Sequence, residues 1–428
     1  MDESIYEKLG ASLIRHLCLN RPDTIDSKTL VEHLFDAMHS RGLGGSAPAQ
    51  FAQGIELVDQ YLGEDKAFSL IDTSLISKGY YSFAISCYLI LIRRFKYNVN
   101  ISRKLAIFVQ AIASQRDLSD HEWWIYCHAA YLTGNYEALS NVSAELRRRE
   151  KTYDRALNQY LMFDVITGFA GGHLDIEHLS FITNDWSGCN LPCQGDGVIP
   201  IIACDSRYFN AFVVPKFQTL TSREVAIHIA LADPTDQDLE ILLNLRGAFP
   251  KVSHSIHKFH GDQCVSKDTD LHQAKERRLT FYASLRFLVA HTLINKTTKA
   301  LFTIDADTTL DFDELNGFVS SLHRHLGDAD LGIKLWDFDY GPGTSHEADL
   351  VFFGQSDQSK YFIKLLESYL LNFLTSSYCF WTLDQVAINA CRRFAEITCT
   401  GFRLINLRKL DPSLFDSYRN TGGSEFRA

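Results

Sequence analysis

The spacing of apolar residues changes once along this chain, and that change limits what it can fold into. Up to about residue 183 the apolar side chains recur at helical spacing, whereas from residue 198 short apolar runs alternate with helical patterns. Between them, residues 184–197 read Asn-Asp-Trp-Ser-Gly-Cys-Asn-Leu-Pro-Cys-Gln-Gly-Asp-Gly, a stretch rich in turn formers. The pattern predicts an all-α domain over 1–183, a linker over 184–197, an α/β domain over 198–410 and a tail over 411–428. A chain of 428 residues suits two domains better than one.

Three stretches of the first part look alike: Gly79-Tyr80-Tyr81-Ser82-Phe83-Ala84-Ile85, Gly134-Asn135-Tyr136-Glu137-Ala138-Leu139 and, more loosely, Gly172-His173-Leu174-Asp175-Ile176-Glu177-His178-Leu179. Each follows an apolar helical pattern and opens another. A glycine ends one helix, and an aromatic or leucine packs into the angle. These stretches resemble tetratricopeptide helix pairs, although their spacing is uneven, and an irregular bundle is the alternative. Either arrangement offers a groove for a partner or a surface for a homodimer. The run Arg147-Arg148-Arg149 reads as a solvated helix end, where cations suit the dipole.

Composition excludes several partners. The formal net charge is -10 and no long basic run occurs, so nothing points to nucleic acid. The most apolar stretch, 80–92, is too short to span a bilayer and ends against Arg93 and Arg94. The acidic start Met-Asp-Glu-Ser is unlike a secretory signal, so a cytoplasmic protein with its 10 cysteines reduced is expected. Cys189 and Cys193 form a lone pair, a weak hint of zinc.

In the second part, strands are expected over 198–204, 224–232, 252–259, 299–304 and 331–336. Helices are expected over 208–220, 236–248 and 279–294, the first kinked or ended by Pro215. Such alternation implies a mostly parallel sheet covered by helices on both faces, and such sheets bind ligands beyond the C-terminal ends of their strands. The strand 299–304 runs into Asp305-Ala306-Asp307. Residues two apart in an extended chain point the same way, so these two carboxylates suit a hard divalent cation that holds a diphosphate. Six Asp-x-Asp triplets occur in the chain, but only those starting at Asp305 and Asp337 directly follow an apolar strand. His254, His257 and His260 are a further cluster. On a strand His254 and His260 would share a face with His257 opposite, either as a metal site or, more simply, as core-edge histidines.

Three segments in order carry a family resemblance. Ile201-Ile202-Ala203-Cys204-Asp205-Ser206-Arg207-Tyr208 opens the domain with a strand and an Asp-x-x-Tyr turn. Phe281-Tyr282-Ala283-Ser284-Leu285-Arg286-Phe287-Leu288 is an aromatic-small-x-x-Arg-apolar helix before the strand that ends in Asp305-Ala306-Asp307. Phe380-Trp381-Thr382-Leu383-Asp384-Gln385 places an Asp-Gln pair at the start of a late helix. Together they resemble glycosyltransferases of the GT-A fold, and the family-8, glycogenin-like group most of all.

The resemblance implies a GT-A-like α/β domain that transfers a sugar from a nucleotide sugar, UDP before GDP, to a hydroxyl acceptor on a protein or glycan. It implies Mn²⁺ or Mg²⁺ held by Asp305 and Asp307 on the donor diphosphate. Asp205 and Tyr208 would flank the nucleotide, and Arg286 would support the phosphates or the acidic loop, unless it is a structural ion pair. Asp384 and Gln385 would lie near the transferred sugar, with Gln385 orienting or stabilising an oxocarbenium-like state. The alternative for Asp384 is a residue satisfying backbone amides at the helix start. Retention of configuration is likewise an implication of the family.

The chain departs from the family at two places. Where the family has an Asn-Ala-Gly step, the nearest match is Glu347-Ala348-Asp349, and no histidine follows His346 to supply the late metal ligand; only Arg408 and Lys409 stand near that position. Two rivals follow: an interaction protein with a degenerate GT-A domain, and a nucleotidyltransferase. The second lacks its glycine-rich loop, since residues 204–210 contain no glycine.

Overall fold

The computed structural model describes residues 181–190, 197–260, 271–336, 342, 346–375 and 382–418, with isolated helical positions between Trp123 and Tyr160. Contacts divide the chain into two units, 1–161 with 338–341 and 162–337 with 342–428. In the first unit Cys127, Ala130, Tyr131, Leu139 and Leu146 are helical and buried. Of the three glycine stretches only Ala138 and Leu139 are described; the others, with Arg147–Arg149, lie outside the described residues.

The second unit is built on an eight-stranded sheet. Its elements are β1 (Ile182–Asp185), β2 (Val198–Asp205), a helical segment α1 (206–218), β3 (Ile227–Ala232), α2 (Asp236–Ala248), β4 (Val252–Phe259), α3 (Leu271–Ile294), β5 (Ala300–Ile304), α4 (Phe312–Leu326), β6 (Leu331–Leu335), β7 (His346–Phe353), α5 (Asp357–Thr375), α6 (Leu383–Thr398) and β8 (Leu404–Asn406). The strand order is β1-β4-β3-β2-β5-β7-β6-β8.

The sheet is mixed: four of its seven strand pairings are parallel, β6 with β8 among them, and three are antiparallel. β4, β3, β2 and β5 are parallel, but β1 pairs antiparallel with β4, and β7 runs antiparallel between β5 and β6. The reason is connectivity. Parallel neighbours need a crossover helix, which α1, α2 and α3 supply, whereas no helix is described between β6 and β7. β1 also carries the sheet across the expected 183/184 boundary, because Asn184 pairs with His257.

Both faces of the sheet are covered, so its central strands read as apolar runs rather than alternating ones. Ile202, Ile229, Phe302 and Phe352 share one core with Val213 and Phe217 of α1, Leu242 of α2 and Phe312, Phe318 and Leu322 of α4. On the other face α3 packs on β2 and β5 and against α5 and α6. Apolar residues three and four apart, from Phe312 to Leu326, give α4 its buried stripe. Gly327, at φ 51°, ends that helix in a conformation few side chains tolerate. Thr235 and Asp238 start α2 with a reciprocal capping box.

Pro215 does not end α1. A π-helical turn, Phe209–Val213, precedes it, and Pro215 then enters as a first-turn residue of Val214–Gln218, where no amide hydrogen is needed. Of the expected tail over 411–428, residues 411–418 are described. Leu414 and Phe415 pack against the core, and Tyr418 is buried in it.

Candidate functional site

Because β2 and β5 are parallel neighbours with Ile202 opposite Ile304, Asp205 and Asp305 leave the sheet on the same edge. Asp205 ends β2 and caps α1, its Oδ1 accepting from the Tyr208 amide at 2.9 Å, with Arg207 beside Oδ2 at 3.3 Å. Tyr208 is half-buried, its ring 5.2 Å from that of Phe212.

The segment 305–307 is a turn rather than a continuation of β5, so strand alternation does not place its two carboxylates. The Asp305 amide donates to the Asp349 carbonyl of β7 at 2.9 Å, which fixes where the turn begins. The Asp307 side chain is buried inside the turn. Of the rival triplets, that at 337 lies outside the described residues.

Arg286 reaches this edge from the middle of α3. Its Nη1 pairs with Asp305 Oδ1, and its Nη2 donates to Asp384 Oδ2 at 3.1 Å. Arg286 therefore forms an ion pair with each of two expected site residues, one of them in the acidic loop. Asp384 opens α6, where its Oδ1 also accepts from the Gln385 amide at 2.9 Å. One carboxylate thus performs the helix-start role and the ion-pair role together. Gln385 is half-buried next to it.

Three residues of this neighbourhood were given no site role in the sequence. Asp349 of β7 accepts on Oδ2 from Lys334 Nζ at 2.7 Å and from the Tyr418 hydroxyl at 3.2 Å, and that hydroxyl also reaches the Asp349 carbonyl at 2.9 Å. Lys334 Nζ lies 4.5 Å from the Tyr418 ring centroid and 3.7 Å from Glu347. Its place in Glu347-Ala348-Asp349, the nearest match to the family's Asn-Ala-Gly step, was the only signal for Asp349. Nothing local marks Lys334 or Tyr418.

The electrostatics are those of a crowded acidic site. Burial pushes the Asp305 carboxyl up to about 7; Arg286 opposes the shift, while Asp349, Asp307 and Asp384 add to it. Burial also raises Asp384, against the pull of Arg286 and the Gln385 amide. Burial works against the charge on Arg286, but the carboxylates of Asp305, Asp384 and Asp349 more than offset it and hold its pKa above the ordinary arginine value.

Among the described residues no group of three or more His, Cys, Asp or Glu is arranged to hold a metal ion. The pair Asp305 and Asp307 could supply two carboxylates and no more. That donor set fits a hard cation whose remaining positions are filled by phosphate and water, and the surplus of carboxylates over cations around Asp305 is what such an ion would offset.

The histidines separate. His254 and His257 point to opposite faces of β4, as strand alternation dictates, and His260 lies beyond the strand, 2.9 Å from Thr183 Oγ1. His257 belongs to a buried chain in which Ser255 Oγ contacts His257 Nε2 at 2.7 Å and His228 Nε2 at 3.0 Å. The chain ends at Asn184 Oδ1, 2.7 Å from His257 Nδ1. Cys193 lies outside the described residues.

No helix among the described residues is long and apolar enough to cross a membrane. No protein-family model matches the chain, and no curated protein matches its sequence.

Proposed function

We propose that the second unit is a GT-A-like, metal-dependent glycosyltransferase domain that moves a sugar from a nucleotide sugar, UDP-linked before GDP-linked, to a hydroxyl acceptor. One observation carries this reading. Arg286 joins Asp305, at the C-terminal end of β5, to Asp384, at the start of α6, on the sheet edge where Asp205 also emerges. Ligands of open α/β sheets bind along such an edge.

In this reading Asp305 and Asp307 hold Mn²⁺ or Mg²⁺, which supplies charge to the departing diphosphate. Asp205 and Tyr208 border the nucleotide. Arg286 keeps Asp305 and Asp384 in register, so that the metal end and the sugar end of the donor are positioned by one side chain. Asp384 and Gln385 line the sugar end, where the Gln385 amide is a dipole rather than a nucleophile. The helical first unit is a candidate acceptor-binding or pairing surface.

Thermal melting with UDP-, GDP-, CMP- and dTDP-sugars, with and without Mn²⁺, tests the proposal. A rise with one nucleotide class that requires the metal supports it. Asp307→Ala should abolish metal-dependent turnover while the fold survives. Absence of any nucleotide-sugar binding favours an interaction protein built on a degenerate domain, in keeping with the absence of a histidine after His346.

A further inference from the structure

A lysine outside the sequence motifs reaches the Asp305–Asp307 turn. Lys216 lies in the last turn of α1, the helical segment that begins with Asp205 and Tyr208. Its Nζ donates to the Thr308 carbonyl at 2.7 Å and approaches Thr308 Oγ1 at 3.4 Å and the Ala306 carbonyl at 3.5 Å. The two carbonyls flank Asp307, so one ammonium group grips the backbone on both sides of that residue. The ammonium also stands over the Phe312 ring, 5.4 Å from its centroid.

The carboxylates around Lys216 are those of Asp307 and Asp311. Burying an ammonium is costly unless its hydrogen bonds and charge are matched. Here carbonyls match the hydrogen bonds, while burial still pulls the ammonium pKa down to about 8, an effect that Asp307 and Asp311 offset only in part.

We propose that Lys216 is a positioning residue for a nucleoside diphosphate. It fixes the backbone of the Asp305–Asp307 turn and brings an ammonium group to where a metal-bound diphosphate would dock. The inference rests on the glycosyltransferase reading of this site and adds a residue and a role to it. Lys216 also makes the two ends of the donor site one mechanical unit, because α1 carries the Asp205–Tyr208 turn at its start and Lys216 near its end. Charge and positioning act in the same direction on a diphosphate. They would oppose each other on a bare cation, so the diphosphate is the proper probe.

The test is titration calorimetry of UDP into the full chain at saturating MnCl₂, with melting temperatures of the unliganded variants as control. Lys216→Met should weaken UDP binding by at least about ten-fold, the scale that charge-assisted hydrogen bonds support. Lys216→Gln keeps a donor for the Thr308 carbonyl and loses the charge, so it should weaken binding as well; it carries the test if the Met variant does not fold. Lys216→Arg keeps the charge and should stay within about three-fold of wild type. Wild-type affinity in the Met or Gln variants overturns the proposal, as does an equal loss in the Arg variant. A wild-type protein that binds neither UDP nor GDP in the presence of Mn²⁺ overturns the glycosyltransferase reading together with it.

Discussion

Arg286 donates from Nη2 to Asp384 Oδ2 at 3.1 Å, joining residues 98 positions apart in the chain, while its Nη1 holds Asp305. The guanidinium is nearly enclosed, and so is the Asp384 carboxylate. Pairs of this kind give little net stability when intact but are costly to break on one side, because an uncompensated charge stays buried.

Arg286→Ala should therefore destabilise the second unit by about 3–5 kcal/mol, read from urea unfolding. Arg286→Met should cost less if the carboxylates can take up protons. A loss below about 1 kcal/mol for the alanine variant would mean that the pair is effectively solvent-screened.

The buried histidine chain predicts sensitivity to acid. Burial brings the His257 pKa down to about 3 from its usual value near 6.5, and burial drives that of His228 well below its usual value too. A group with a depressed folded-state pKa contributes stability above its unfolded value and loses it as pH falls toward the folded one. Between roughly pH 6.5 and 3, each such histidine should remove up to about 1.4 kcal/mol per pH unit. Denaturant unfolding of the wild type and of His257→Gln across that window measures the difference in slope. Identical slopes would show that His257 does not contribute to the acid response.

Tyr418 ties the described segment 411–418 to the fold. Its hydroxyl bonds to Asp349, and its ring stacks on Phe318 at 5.3 Å. Tyr418→Phe should cost about 1 kcal/mol for the lost hydrogen bonds, and Tyr418→Ala about 3–5 kcal/mol for the cavity as well. Chemical denaturation of both variants separates the two contributions; equal losses would mean that only the hydroxyl matters.

Gly354, just past β7, lies against the Ala329 carbonyl, and a Cβ built there would sit 2.2 Å from that oxygen. Backbone cannot yield as a flexible side chain can. Gly354→Ala should cost about 1–3 kcal/mol, seen as a lower melting temperature. An unchanged melting temperature would place the two segments further apart than described.

The sequence alone determined the alternation of elements after residue 198. The apolar runs of β2 and β5 and the helical pattern of α2 announce themselves, because burial on both sheet faces demands continuous apolar strands. It also placed Asp205 and Asp305 at strand ends, since these are junctions between periods, while the start of a helix at Asp384 was implied by the family resemblance. Only the tertiary structure decided that β7 inserts antiparallel between β5 and β6 and that Arg286 spans Asp305 and Asp384. It alone brought Lys216, Lys334, Asp349 and Tyr418 to the same neighbourhood. These are contacts between elements far apart in the chain. No local period or turn signal encodes them, and they exist only once the sheet order and the packing of α1 and α3 have fixed which side chains meet.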